Sequence, residues 1–134
     1  MAKTIIVIEV SMNFELIKTE VDGDKALIYM WEIYDLTGVL VGRYVGKAKN
    51  GSKRPLRHYK RNVERLLSGK PYRKSKPEGY RQVHRALAAA VRAEYTIQLS
   101  FLTNVDNINS INTIESALIA EKNCKGAEDW QLNG

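Results

Sequence analysis

Between Leu27 and Tyr59 the sequence sets Tyr29, Tyr34 and Tyr44, then Lys47, Arg54, Arg57 and His58, at intervals suited to handling a phosphodiester. Hydrolysis of such a bond needs an activated water, neutralised charge at phosphorus and support for the departing oxyanion. A guanidinium presents a fixed fork of donors that matches phosphate oxygens. Arg57 and His58 follow Arg54 by three and four residues, so all three fall on a similar side of a helix. A phenol titrates near ~10 and acts as a base only where positive charge stabilises its anion or its proton is handed on. Much later, Glu115 falls in the first turns of a helical stretch, where the helix dipole alone accounts for an acid.

These residues have to be positioned by a hairpin and the helix that follows it. Residues 25–34 and 39–46 read as strands around the turn Asp35-Leu36-Thr37-Gly38. Upstream, residues 3–10 and 13–20 are rich in β-branched and aromatic side chains and read as two more strands joined at Ser11-Met12, with Asp22-Gly23 as the next turn. The first third therefore predicts consecutive hairpins and an antiparallel sheet. Ser52 is the expected N-cap of a basic helix over about 53–67, with Pro55 in its first turn. Leu56, Tyr59, Val63, Leu66 and Leu67 give it an apolar stripe. The segment 70–80, with Pro71 and Pro77, reads as a mobile surface loop. A helix over about 79–93, a strand over 95–102 and a helix over about 112–124, capped by Asn112 or Thr113, complete the chain. The expected fold class is α+β: a small antiparallel sheet flanked by helices, in one compact domain. Residues 1–24 form an N-terminal hairpin extension, and residues 25–134 the main body.

Charge is concentrated. Residues 41–92 hold 16 of the 21 Lys and Arg against two acids, Glu64 and Glu78, a local charge of +14; the remainder carries five basic and 13 acidic residues. A one-sided field of this kind points to a polyanion. Arg57, Lys60 and Arg61 on the first helix and Lys70, Arg73, Lys74, Lys76 and Arg81 around the loop are the candidate nucleic-acid contacts. Tyr72 and Tyr80 could stack on an exposed base. The lone Cys124 excludes an internal disulfide, and with two histidines it makes a structural zinc site untenable. The apolar run near the N-terminus is broken by Glu9, too early for a signal peptide or membrane span. The expected setting is intracellular and cytoplasmic, with no membrane partner and no organic cofactor.

In combination these residues carry a family resemblance. Ile28-Tyr29, then Tyr44-Val45-Gly46-Lys47-Ala48-Lys49-Asn50, then Arg54 and His58, resemble the GIY-YIG nuclease superfamily. The second of these stretches is especially similar to the nuclease domain of bacterial excision-repair endonucleases. The ten-residue step from Tyr44 to Arg54 matches that pattern, as does the four-residue step to His58, which is similar to its homing and restriction members. Thr113-Ile114-Glu115 stands where the family has a glutamate opening a helix, and Asn133 resembles the asparagine that closes the domain. The resemblance covers about residues 26–133 and implies a ββααβα core. Two departures stand out. Leu27 replaces a frequent glycine, and the 15 residues from Tyr29 to Tyr44 exceed the usual interval. Tyr34, ten before Tyr44, competes as the first tyrosine. Strand periodicity favours Tyr29, because lengthening both strands by two residues preserves facing, whereas Tyr34 would need a bulge or a different turn. Gly42 is a candidate bulge position, and Gly46 a point of close backbone approach or a turn.

The resemblance implies a metal-dependent DNA endonuclease working by water attack, leaving 5′-phosphate and 3′-hydroxyl ends. It implies Mg²⁺ or Mn²⁺ held by Glu115, Tyr29 (or Tyr34) as general base, Tyr44 and Lys47 as its helpers, and Arg54 with His58 at the phosphate. His84 reads as structural or DNA-facing. A stand-alone enzyme of this size fits a phage or mobile-element nuclease, a compact restriction enzyme or a repair nuclease. The N-terminal hairpin either extends the sheet or offers an edge for a homodimer. The alternative is a basic nucleic-acid-binding protein with a degenerate nuclease fold and no catalysis.

Overall fold

A computed structural model describes residues 11–134. Its elements run β1 (Glu15–Ile17), β2 (Leu27–Tyr34), β3 (Leu40–Ala48), a π-turn (Arg54–His58) leading into α1 (Tyr59–Leu67), α2 (Gln82–Arg92), β4 (Thr96–Asn104) and α3 (Ile111–Glu121). The class is α+β. The four strands lie in the order β1-β4-β2-β3. The expected antiparallel sheet holds for β2 with β3 and for β2 with β4, but β1 joins β4 in parallel, so the sheet is mixed. Consecutive hairpins are not what forms: β4 inserts beside β2, in the position expected for the segment 13–20, and leaves that segment the outer edge of β4. Central strand β2 is buried on both faces from Leu27 to Ile33, so it attracts the best apolar partner rather than the nearest one in sequence. The strand expected over 3–10 lies outside the described residues.

The two faces of β2 build two cores. Leu27, Tyr29, Trp31 and Ile33 pack under α1 and α2, against Tyr59, Val63, Val83 and Leu87. Ile28 and Met30 face the other way and, with Val45, meet Ile111 and Cys124 at α3 and the tail behind it. Period-two alternation on a strand covered on both sides dictates this split. Two register shifts bracket the strand: one between Ile28 and Tyr29 in the pairing with β4, one between Ile33 and Tyr34 in the pairing with β3. Gly42 borders the second, as the bulge reading anticipated. Gly46 stands in the strand, not a turn, directly opposite Tyr29. A Cβ there would lie 2.5 Å from Tyr29 Cζ, so only glycine lets the ring cross the neighbouring strand.

The helices begin differently from expectation. Ser52 contributes its carbonyl, which accepts from Leu56 N–H, and no side chain caps the helix at Lys53. The first turn is π, closed by Tyr59 N–H to Arg54 C=O. Pro55, without an N–H, sits in it at little cost. Helix α3 starts before Asn112 and Thr113, after a 3₁₀ turn capped by Asn107, whose side chain accepts from Asn109 N–H. Segment 70–80 is a surface loop, as expected, and is anchored by hydrogen bonds. Tyr72 N–H donates to Pro77 C=O at 3.0 Å, Tyr80 Oη to Lys70 C=O at 2.8 Å, and Arg65 to Pro71 C=O at 3.0 Å. Among the described residues no helix is long and apolar enough to cross a membrane.

Candidate functional site

Edge strand β3, the turn after it, the π-turn and α3 enclose a cleft. Tyr29, Tyr44, Lys47, Arg54, His58 and Glu115 all line it. Tyr29 and Tyr44 come from one face of the hairpin, because Tyr29 pairs with Gly46 and Trp31 with Tyr44. The wide π-turn lets Arg54 and His58 both look into the cleft while Pro55 and Tyr59 turn inward. Lys47 reaches α3, where its ammonium donates to Asn112 Oδ1. One helical turn beyond Asn112 stands Glu115.

Tyr34 does not join them. It lies on the opposite face of β2, where its hydroxyl donates to Glu32 Oε2 at 3.2 Å. Glu32 also takes two bonds from Arg43, at 2.9 and 2.8 Å, an ion pair that commits Arg43 to structure. Asn133 sits behind the site. Its amide pairs with the backbone of Val45 in both directions, at 2.9 and 2.8 Å, and so closes the outer edge of β3 next to Tyr44.

Beneath the cleft lies a network that sequence reasoning did not assemble. Tyr29 Oη donates to Tyr59 Oη at 2.7 Å, and Arg81 donates to Tyr59 Oη at 2.7 Å and to Tyr44 Oη at 3.1 Å. Tyr59, read from sequence as an apolar helix position, is the hub, and Arg81, read as a loop contact, is its clamp. One signal was present: a buried tyrosine hydroxyl almost always finds a partner. His84 is buried and accepts the Arg81 N–H on Nδ1 at 3.1 Å, which fixes the start of α2. This contact is structural, one of the two roles, structural or DNA-facing, expected for it.

Burial pushes the Tyr29 hydroxyl above its ordinary value, opposed by its bond to Tyr59 and the nearby Arg54 guanidinium. Tyr59 is raised further, by burial and by the neighbouring tyrosines. Burial, reinforced by Arg81 and Arg54, pulls His84 down to about 4, so the imidazole is neutral at pH 7. Glu115 is raised by partial burial against the pull of Lys47, Arg54 and Arg81.

The residues fit a hard divalent cation in one way. The Glu115 carboxylate lines the cleft and makes no hydrogen bond or ion pair among the described residues, so its oxygens are available. No cluster of three or more His, Cys, Asp or Glu lies together among those residues. A cation on Glu115 would therefore keep waters and take phosphate oxygens, as Mg²⁺ does.

The other cationic candidates divide into groups. Arg61, Arg73 and Arg81 line a second hollow beside the cleft. Arg57, Lys60 and Lys70 lie along the outer side of α1. Lys74 and Lys76 are exposed at the tip of the anchored loop. Among the described residues only Arg43 and Arg85 pair with carboxylates, so the positive surface is largely uncompensated. Chemically, the cleft offers two phenols, ammonium and guanidinium groups and a free carboxylate around one space able to take a phosphodiester. Comparison with protein-family models, curated proteins and solved structures yields no match to this chain.

Proposed function

We propose that this protein is a metal-dependent DNA endonuclease of the GIY-YIG type, and that the β3-edge cleft is where it hydrolyses the phosphodiester. One observation carries the reading. Six side chains that the family resemblance singled out, from Tyr29 to Glu115, line a single cleft although four different elements supply them.

Arg54 binds the scissile phosphate and meets the charge that builds there, with His58 beside it as a second donor or proton relay. Glu115 would hold Mg²⁺ or Mn²⁺, which would supply Lewis-acid polarisation of the phosphate and support for the leaving oxygen. Tyr29 takes a proton from the attacking water. For that its own proton has first to be lost to solvent; the Arg54 guanidinium beside it favours the phenolate, and its bond to Tyr59 fixes where the oxygen lies. Tyr44 and Lys47 orient the water or phosphate from the other wall. The basic surface on α1 and the anchored loop supplies backbone contacts independent of sequence.

The rival reading, a basic DNA-binding protein without catalysis, draws on one fact: burial holds Tyr29 away from the ionisation a base requires. Incubating plasmid and branched DNA with Mg²⁺ separates the two. The nuclease reading expects cutting by the wild type, lost on chelation and lowered at least about a hundredfold in Glu115→Ala. Metal-dependent cutting that survives Glu115→Ala removes the ligand assignment. No cutting of any DNA favours the binding module.

A further inference from the structure

Arg54, His58 and Arg81 form a wall with a face on each side. One side is the cleft, and the other is a hollow between α1, α2 and the loop 70–80. Five arginines line this hollow, Arg54, Arg61, Arg65, Arg73 and Arg81, and no carboxylate does. Arg65 and Arg81 are engaged with protein acceptors, and Arg54 stands close to the Tyr29 hydroxyl. Arg61 and Arg73 make no side-chain hydrogen bond among the described residues, which leaves two guanidinium forks for an outside anion.

The hollow also has an aromatic side. Tyr59, Tyr72 and His84 contribute to its lining, with ring centroids 5.2 Å apart for Tyr59 and His84 and 6.4 Å for Tyr72 and His84. Tyr72 is held in advance: its N–H is bonded to Pro77, Gly79 lies against its ring, where a Cβ would come 2.5 Å from Cδ1, and Arg73 stands over it at 5.1 Å. The flank of a continuous duplex offers phosphates to such a place but keeps its bases paired and stacked. An unpaired nucleotide offers both a phosphate and a free π-face, and stacking of this kind is tolerant of base identity.

We infer that this hollow takes an unpaired nucleotide of the DNA strand adjacent to the bond held in the cleft, its phosphate on Arg61 and Arg73 and its base against Tyr72. The preferred substrate is then tailed, flapped or branched DNA rather than continuous duplex. The inference rests on the nuclease reading for what the hollow serves, but the binding it requires does not depend on cleavage.

The test uses full-length Glu115→Gln without divalent cation, titrated by fluorescence anisotropy against a blunt duplex and against the same duplex with a short single-stranded tail. The tail is expected to tighten binding about tenfold, the scale of one stacked base plus its phosphate. Tyr72→Ala is expected to remove most of that gain and leave blunt-duplex affinity within about twofold, and Arg73→Ala to weaken binding of the tailed duplex several-fold more than that of the blunt duplex, whose phosphates the same loop contacts. Arg73 is exposed, so its truncation keeps the fold if Tyr72→Ala should not. The inference is overturned if the tail adds nothing, if the gain survives both substitutions, or if they weaken blunt and tailed duplex equally. Tail-selective binding by a protein that never cuts would remove the nuclease reading and leave the hollow's ligand standing.

Discussion

Tyr29 carries a tension between burial and chemistry. It is 1 % exposed and bonded to another tyrosine, yet it lines the cleft. If it is the base, its raised ionisation leaves little phenolate near neutrality, and each pH unit below its value cuts that fraction tenfold. Cleavage by the wild type should therefore climb with pH by roughly tenfold per unit across the neutral and mildly alkaline range, in single-turnover assays. A flat profile would remove the base role. Tyr29→Phe should lower the rate by roughly two orders of magnitude or more, and Tyr34→Phe, on the opposite face, by less than about twofold. A dead Tyr34→Phe with an active Tyr29→Phe would invert the assignment. His84 gives a stability prediction that needs no activity. Its value is depressed in the folded state, to about 4, so between that and its ordinary value of about 6.5 the unfolded chain binds more protons. Stability is then full above that window and declines as pH falls through it, by at most ~1.4 kcal/mol per pH unit. Urea unfolding at pH 7 and pH 5 should show the loss, and His84→Gln should flatten it.

At the scale of elements, the hairpin and the π-turn set the geometry. The interval from Tyr29 to Tyr44 is bridged by long strands that keep both rings on one face, and the register shift toward Tyr34 begins only beyond them. Gly46 makes room for Tyr29 across the pair. Gly46→Ala should push that ring aside, destabilise the domain by about 1–3 kcal/mol in urea titration and abolish cleavage while leaving most DNA affinity intact. Retained cleavage in Gly46→Ala would mean that Tyr29 is not held where the chemistry needs it. The π-turn was not legible in advance, because residue types over five positions do not say whether a turn closes i→i+4 or i→i+5; the packing around it decides.

Across the whole molecule, the +14 segment is gathered on α1, the loop 70–80 and the rim of the cleft, with few carboxylates near it. Affinity for duplex DNA should fall steeply with salt, with a log–log slope of about −4 to −6. Removing Arg73, Lys74 and Lys76 together should reduce that slope by roughly one for each phosphate no longer neutralised, without altering sequence preference. Isothermal titration or anisotropy at several salt concentrations measures both. A slope near zero would mean that the basic surface does not face DNA.

Much of this was written in local order. Strand periodicity, applied to the interval the resemblance implies, favoured Tyr29 over Tyr34 as the partner of Tyr44, helical spacing put Arg54 and His58 on one side, and composition located the positive field. These follow from backbone repeats and side-chain charge, which are local properties. What local order could not supply was the company these residues keep. The parallel docking of β1 on β4, the bond from Tyr29 to Tyr59 and the clamp of Arg81 on Tyr59 and Tyr44 join positions far apart in the chain. Such pairings are chosen by the burial of β2 on both faces and by the need of buried hydroxyls for partners, and both are decided only when the sheet and helices close on one another.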